Sequence, residues 1–113
     1  MPEFYMQWLA DCAPGIRILK LSGPFTLTAV FEFQAAVRQP SEAATIIDMS
    51  DVIYMDSAAL GSVLGLHVSC QRDQRSYALV GVGERLRTLF RVAGVDNVLV
   101  TADSLEQARA ASA

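Results

Sequence analysis

Lysine is almost missing from this chain of 113 residues: Lys20 is the only one, and the other cations are arginines spread along the sequence. The formal net charge is -3 and no basic run occurs, so nucleic acid is not an expected partner, because phosphate recognition needs gathered cations. Histidine is as scarce. His67 stands alone, with no Cys, Glu or second His at ligand spacing, so no metal site is expected. The two cysteines, Cys12 and Cys70, form no CxxC pair and read as reduced thiols. No apolar run approaches the roughly 20 residues of a membrane span. Met1–Leu9 carries Glu3 and lacks the basic start of a signal peptide. A cytoplasmic protein without a membrane span is the expectation.

What is present is a core. Hydrophobic residues make up 52% of the chain, enough to exclude a disordered or fibrous class, and the length fits one domain over residues 1–113. Phe4–Asp11 and Ile16–Ser22 flank the turn signal Ala13-Pro14-Gly15 and read as a hairpin, with Gly23-Pro24 ending its second strand. Thr28 is a candidate cap for a helix carrying Val30, Phe33 and Val37 and stopped by Pro40. Thr45–Asp48 and Val52–Met55 are short apolar pieces separated by a polar turn. Ser57 to about Gln74 reads as a helix with Leu60, Val63, Leu64 and His67 on or near one face. Strands at Ser76–Val82 and Val98–Val100 alternate with a helix at Glu84–Ala93, where Leu86, Leu89, Phe90 and Ala93 keep helical spacing before Gly94. Asp103-Ser104-Leu105-Glu106 resembles a capping box opening a last helix, with Glu106 at its third position. Together these predict an α/β fold: a mixed sheet of about five strands covered by about four helices.

The stretch Asp48–Gly61 is the most informative. A polar turn after Met55 leads directly into a helix, so Asp56 or Ser57 can cap it. A serine at that place lies beside unpaired amides and the positive end of the helix dipole, where a phosphoryl group is well received. A plain helix cap needs the same residues, and pattern alone leaves both readings open. Gly61 and Gly65 share a helix face, and their propensity cost predicts a close approach of this helix to the sheet.

Asp48-Met49-Ser50 followed by Asp56-Ser57-Ala58-Ala59-Leu60-Gly61 resembles the signature of STAS domains, particularly of the bacterial anti-sigma factor antagonists. In that signature a buried strand ends Asp-Leu-Ser and a helix opens Asp-Ser-Ser-Gly-Leu-Gly. Leu86–Gly94 is similar to the family's later helix, and the resemblance runs from about Ile16 to Ala108. It implies a single STAS-type domain whose switch serine, Ser57, is phosphorylated by a partner anti-sigma factor serine kinase and restored by a phosphatase. Unphosphorylated, such a protein binds the kinase and frees a sigma factor. Any Mg-ATP would belong to the kinase, and the chain itself would need no cofactor and be no enzyme. Asp56 would orient the serine, Thr26, Ser50 and Ala58 would share its contact surface, and Gly61 would allow tight packing behind it. The family's Ser-Gly after the serine is here Ala58-Ala59, and its acidic loop Gly-Glu-Leu-Asp is Gly23-Pro24-Phe25-Thr26. A non-switching scaffold subunit of a signalling or transport assembly is the alternative that this loop allows.

Other features carry less. A Ser57–His67–Asp triad lacks a G-x-S-x-G elbow, and ten residues along one helix separate its members by about three turns. Gly81-Val82-Gly83 is too short for a phosphate loop. Arg72, Arg75, Arg85, Arg87 and Arg91 read as solvated surface. Phe4, Tyr5 and Trp8 could pack the hairpin or serve a homodimer.

Overall fold

Two-residue periodicity in the strands builds the molecule. In β2 (Ile16–Phe25), Leu19 and Leu21 face one side of the sheet while Ile18 faces the other. In β3 (Ala44–Met55) Ile47 and Met49 alternate with Ile46, and in β4 (Tyr77–Val80) Tyr77 and Leu79 alternate with Ala78 and Val80. A strand apolar on both faces must be covered on both faces. The helices α1 (Val30–Arg38), α2 (Ser57–Asp73) and α3 (Glu84–Val92) bury the first set of side chains, and α4 (Leu105–Ser112) packs on the second. The computed structural model describes residues 3–9, 15–41 and 43–112. Cys12 and the Ala13-Pro14 part of the expected hairpin turn lie outside them.

The sheet has five strands in the order β1-β2-β3-β4-β5, with β1 (Tyr5–Leu9) antiparallel to β2 and all other neighbours parallel, β5 being Thr101–Ala102. The α/β class, the hairpin start and the alternation of strand and helix agree with the sequence reading. Arg17, unremarkable in sequence, closes the bottom of the sheet. Its guanidinium donates to Val37 O and Gln39 O at the end of α1 and to Thr45 Oγ1, and it lies 4.9 Å from the Trp8 ring centroid. Trp8 thus packs within the fold.

Several local expectations are corrected. The two apolar pieces around Asp48–Asp51 are one strand, because register shifts against β2 between Lys20 and Ser22 and between Gly23 and Pro24 absorb the irregular stretch. Strand β2 does not stop at Gly23-Pro24 but runs to Phe25. Thr28 caps nothing: it lies inside a 3-10 turn, Leu27–Ala29, and its hydroxyl meets that of Thr26 at 3.1 Å. The strand expected at Val98–Val100 is two residues long and lies just beyond, at Thr101–Ala102. The capping box of α4 is shifted by one residue: Ser104 Oγ accepts from Gln107 N, and the Gln107 side chain, not Glu106, reaches back to Asp103 N.

Candidate functional site

The centre of the site is a single carboxylate. Asp56 follows the end of β3 in extended conformation and is the N-cap of α2: its Oδ1 accepts from Ala59 N at 2.9 Å. Its Oδ2 accepts from Leu27 N at 3.0 Å, 29 residues away, and its own amide donates to Phe25 O at 3.3 Å. One side chain therefore joins the start of α2 to the segment leaving β2. With both oxygens engaged, the Asp56 side chain is held in one orientation.

Ser57 is the first residue of α2 and is exposed, and Ala58 is half-buried. Of the first-turn amides, Ala59's is taken by Asp56 Oδ1 and Leu60's by Asp56 O. Those of Ser57 and Ala58 meet no protein acceptor among the described residues. The serine hydroxyl thus stands in water beside two free donors and the positive end of a helix of 17 residues. An acceptor-rich dianion on Ser57 would be received by those donors, while facing the neighbouring Asp56 charge.

The sequence-derived residues are only partly gathered. Thr26 is half-buried and is brought to Asp56 by the Leu27 bond. Ser50 is exposed but lies farther back on β3, on the order of 15–20 Å from Ser57 along an extended strand. Its hydroxyl donates to Asp48 Oδ1 at 2.7 Å and its amide to the same oxygen at 3.0 Å. Asp51 pairs with Lys20 at 3.1 Å. Gly61 does not allow tight packing: it is exposed, and a Cβ built on it or on Gly65 meets nothing within 4 Å. The buried face of α2 is Ala59, Leu60, Val63, Leu66 and Cys70, so both glycines fall on the solvent side. Gly81, like Gly23, is a glycine that the backbone does need. Gly81 has φ +71°, and an added Cβ would lie 2.7 Å from Ser50 N.

His67 is no partner for Ser57. Its Nδ1 lies 2.7 Å from the Tyr77 hydroxyl, which accepts from Val100 N at 3.0 Å, and the two rings meet edge to face. Among the described residues no group of three His, Cys, Asp or Glu could hold a metal ion. Burial raises the Cys70 thiol and the Tyr77 phenol above their ordinary pKa values. Burial is also the first cause that lowers Arg17, with repulsion from Arg75 second. A hollow of about 300 Å³ beside His67, Arg75, Tyr77 and Val100 lies toward the C-terminal end of α2, away from Ser57.

Two exposed apolar residues escaped the sequence reading: Leu27, whose amide Asp56 holds, and Phe31, four residues farther along the chain. The signal for Phe31 was its phase, since it falls off the Val30–Phe33–Val37 face that the fold buries.

The order of elements, the helix opening on Asp56-Ser57 and the Asp48-Met49-Ser50 stretch inside β3 now stand together, and the STAS domain profile matches residues 7–108. The chain belongs to the STAS family. Among curated relatives, the anti-sigma-B factor antagonist of Listeria monocytogenes is 36% identical over 53 residues, which is 47% of this chain and 46% of the relative. The match therefore spans about half the length of each. Among solved structures, a candidate anti-sigma factor antagonist from Thermotoga maritima superposes with a TM-score of 0.84 at 17% identity, covering 95% of this chain and 93% of that one. A sulfate transporter family protein from Wolinella succinogenes gives 0.76 at 20% identity, over 91% and 88%. At such identities the likeness is one of fold. No described helix of this STAS domain is long and apolar enough to cross a membrane.

Proposed function

We propose that this STAS domain is an anti-sigma factor antagonist that binds an anti-sigma serine kinase in its unmodified form and is released when that kinase phosphorylates Ser57. The observation that supports the reading is the setting of Ser57: an exposed hydroxyl at the first position of α2, beside two amides that meet no acceptor among the described residues and next to an Asp56 whose two oxygens are already engaged. The helix end tolerates a phosphoryl group, so modification leaves the fold intact. The same group adds about -1.5 to -2 charges beside Asp56, which changes the surface that a partner meets. The relatives' name supports the antagonist role. The protein acts by binding and not by turnover. The kinase supplies Mg-ATP, a phosphatase resets Ser57, and both meet the protein in the cytoplasm. Asp56, Ser57, Ala58 and Thr26 form the centre of the contact, Gly61 extends it along the exposed side of α2, and Ser50 lies at its rim.

The test is the affinity of the kinase encoded beside this gene for three forms of the protein. Ser57→Ala is expected to bind as the parent does and to resist modification, and Ser57→Asp to bind at least tenfold more weakly. Equal affinity for the Asp form contradicts the switch and identifies a scaffold indifferent to Ser57.

A further inference from the structure

Helix α1 buries Val30, Phe33, Ala36 and Val37 and leaves Phe31 79% exposed, the most exposed aromatic side chain among the described residues. Four residues earlier, Leu27 is 62% exposed although its backbone is fixed by the Asp56 carboxylate. An isolated exposed apolar residue is ordinary. Two large ones in successive turns, one bonded to the cap of the helix that Ser57 opens, make a patch which the fold does not use. Beside it lies a hollow of about 330 Å³ whose lining among the described residues includes Glu3, Glu32, Thr26 and Thr28 and no cationic side chain. Glu32 also suits the first turn of α1, which accounts for its charge but not for the apolar pair beside it.

Resting on the antagonist reading of Ser57, we infer that Leu27 and Phe31 anchor the partner, and that the partner brings an apolar pocket flanked by an arginine or lysine. The apolar pair enters the pocket, and the cation enters the hollow between Glu3 and Glu32. Charge complementarity selects this occupant: a hollow to which the described residues bring two carboxylates, two hydroxyls and no positive group favours a cationic side chain over an acidic surface. Specificity then resides in the Leu27–Glu32 segment, and the switch resides in Ser57. The two meet at Asp56.

Isothermal titration of the full chain with the neighbouring kinase tests this with Phe31→Ser, Glu32→Arg, Val92→Ser and Ser57→Asp. Phe31 and Val92 are both largely exposed, the latter at 82%, so neither substitution threatens the fold. Phe31→Ser is expected to weaken binding about 30-fold, as a central apolar anchor does. Glu32→Arg is expected to weaken it about tenfold and to flatten its salt dependence, while Val92→Ser leaves it unchanged. Parental affinity in Phe31→Ser and Glu32→Arg, with binding lost in Ser57→Asp, overturns this inference and leaves the switch standing. Loss in the first two with none in Ser57→Asp supports the anchor and rejects the switch. No binding by the parent overturns both. Sedimentation of the free protein addresses the other occupant: a dimer that Phe31→Ser converts to monomer assigns the patch to self-association and overturns the proposal.

Discussion

Asp56 satisfies two amides with one carboxylate, Ala59's within its own helix and Leu27's across the site. Asp56→Ala is expected to cost about 1–2 kcal/mol for the lost cap, and somewhat more because the Leu27 donor is left without its acceptor. Urea unfolding measures this; a loss below about 0.5 kcal/mol would show the bridge to be incidental. The cap was legible in the sequence, as Asp-Ser before an apolar helix. The reach to Leu27 was not, since a bond between residues 29 apart leaves no local pattern. A second prediction concerns Cys70, whose thiol is raised by burial. With a raised folded value the unfolded chain loses its proton first, so stability is full below the ordinary thiol value and falls as pH rises through and beyond it. The slope attributable to this group is at most about 1.4 kcal/mol per pH unit. It should vanish in Cys70→Ala, whatever that variant loses at neutral pH, and an unchanged alkaline slope would exclude Cys70 as its source.

Elements were legible where one periodicity held and blurred where geometry was irregular. The face of α3 was readable because Leu86 and Phe90 repeat at helical spacing. Strand β3 was split because Asp48, Ser50 and Asp51 look like a turn, and only its pairing with β2 shows that bulges carry the strand through. The glycines of α2 mislead for a related reason: propensity gives the cost of Gly61 and Gly65, but not which way they face. Facing solvent with free space, each should gain about 0.5–1 kcal/mol on replacement by alanine. Thermal melting of both single variants checks this, and a loss would restore the close-packing view. Gly81→Ala should instead lose more than about 1 kcal/mol, since its left-handed backbone and the Ser50 amide both oppose a Cβ. Gly81 follows directly on the end of β4 at Val80, while β3 continues to Met55 paired with β2 alone.

Across the whole molecule, a sheet apolar on both faces and covered on both leaves one end of α2 to carry the exposed chemistry. Class, order of elements and the helix start at Asp56-Ser57 were legible because alternating strands and helices, and a polar break before an apolar helix, are written locally. The patch at Leu27 and Phe31 was not, because its meaning depends on which residues the core had already taken. The closing of the sheet by Arg17 on the end of α1 depends likewise on partners 20 to 28 residues away. The central claim is that this architecture presents Ser57 for modification without being remodelled by it. Intact-mass spectrometry after incubation with Mg-ATP and the neighbouring kinase tests it most directly. The account predicts one added phosphate, mapped to Ser57 and absent from Ser57→Ala. No phosphate from a kinase that modifies another antagonist, or a phosphate mapped elsewhere, would contradict it.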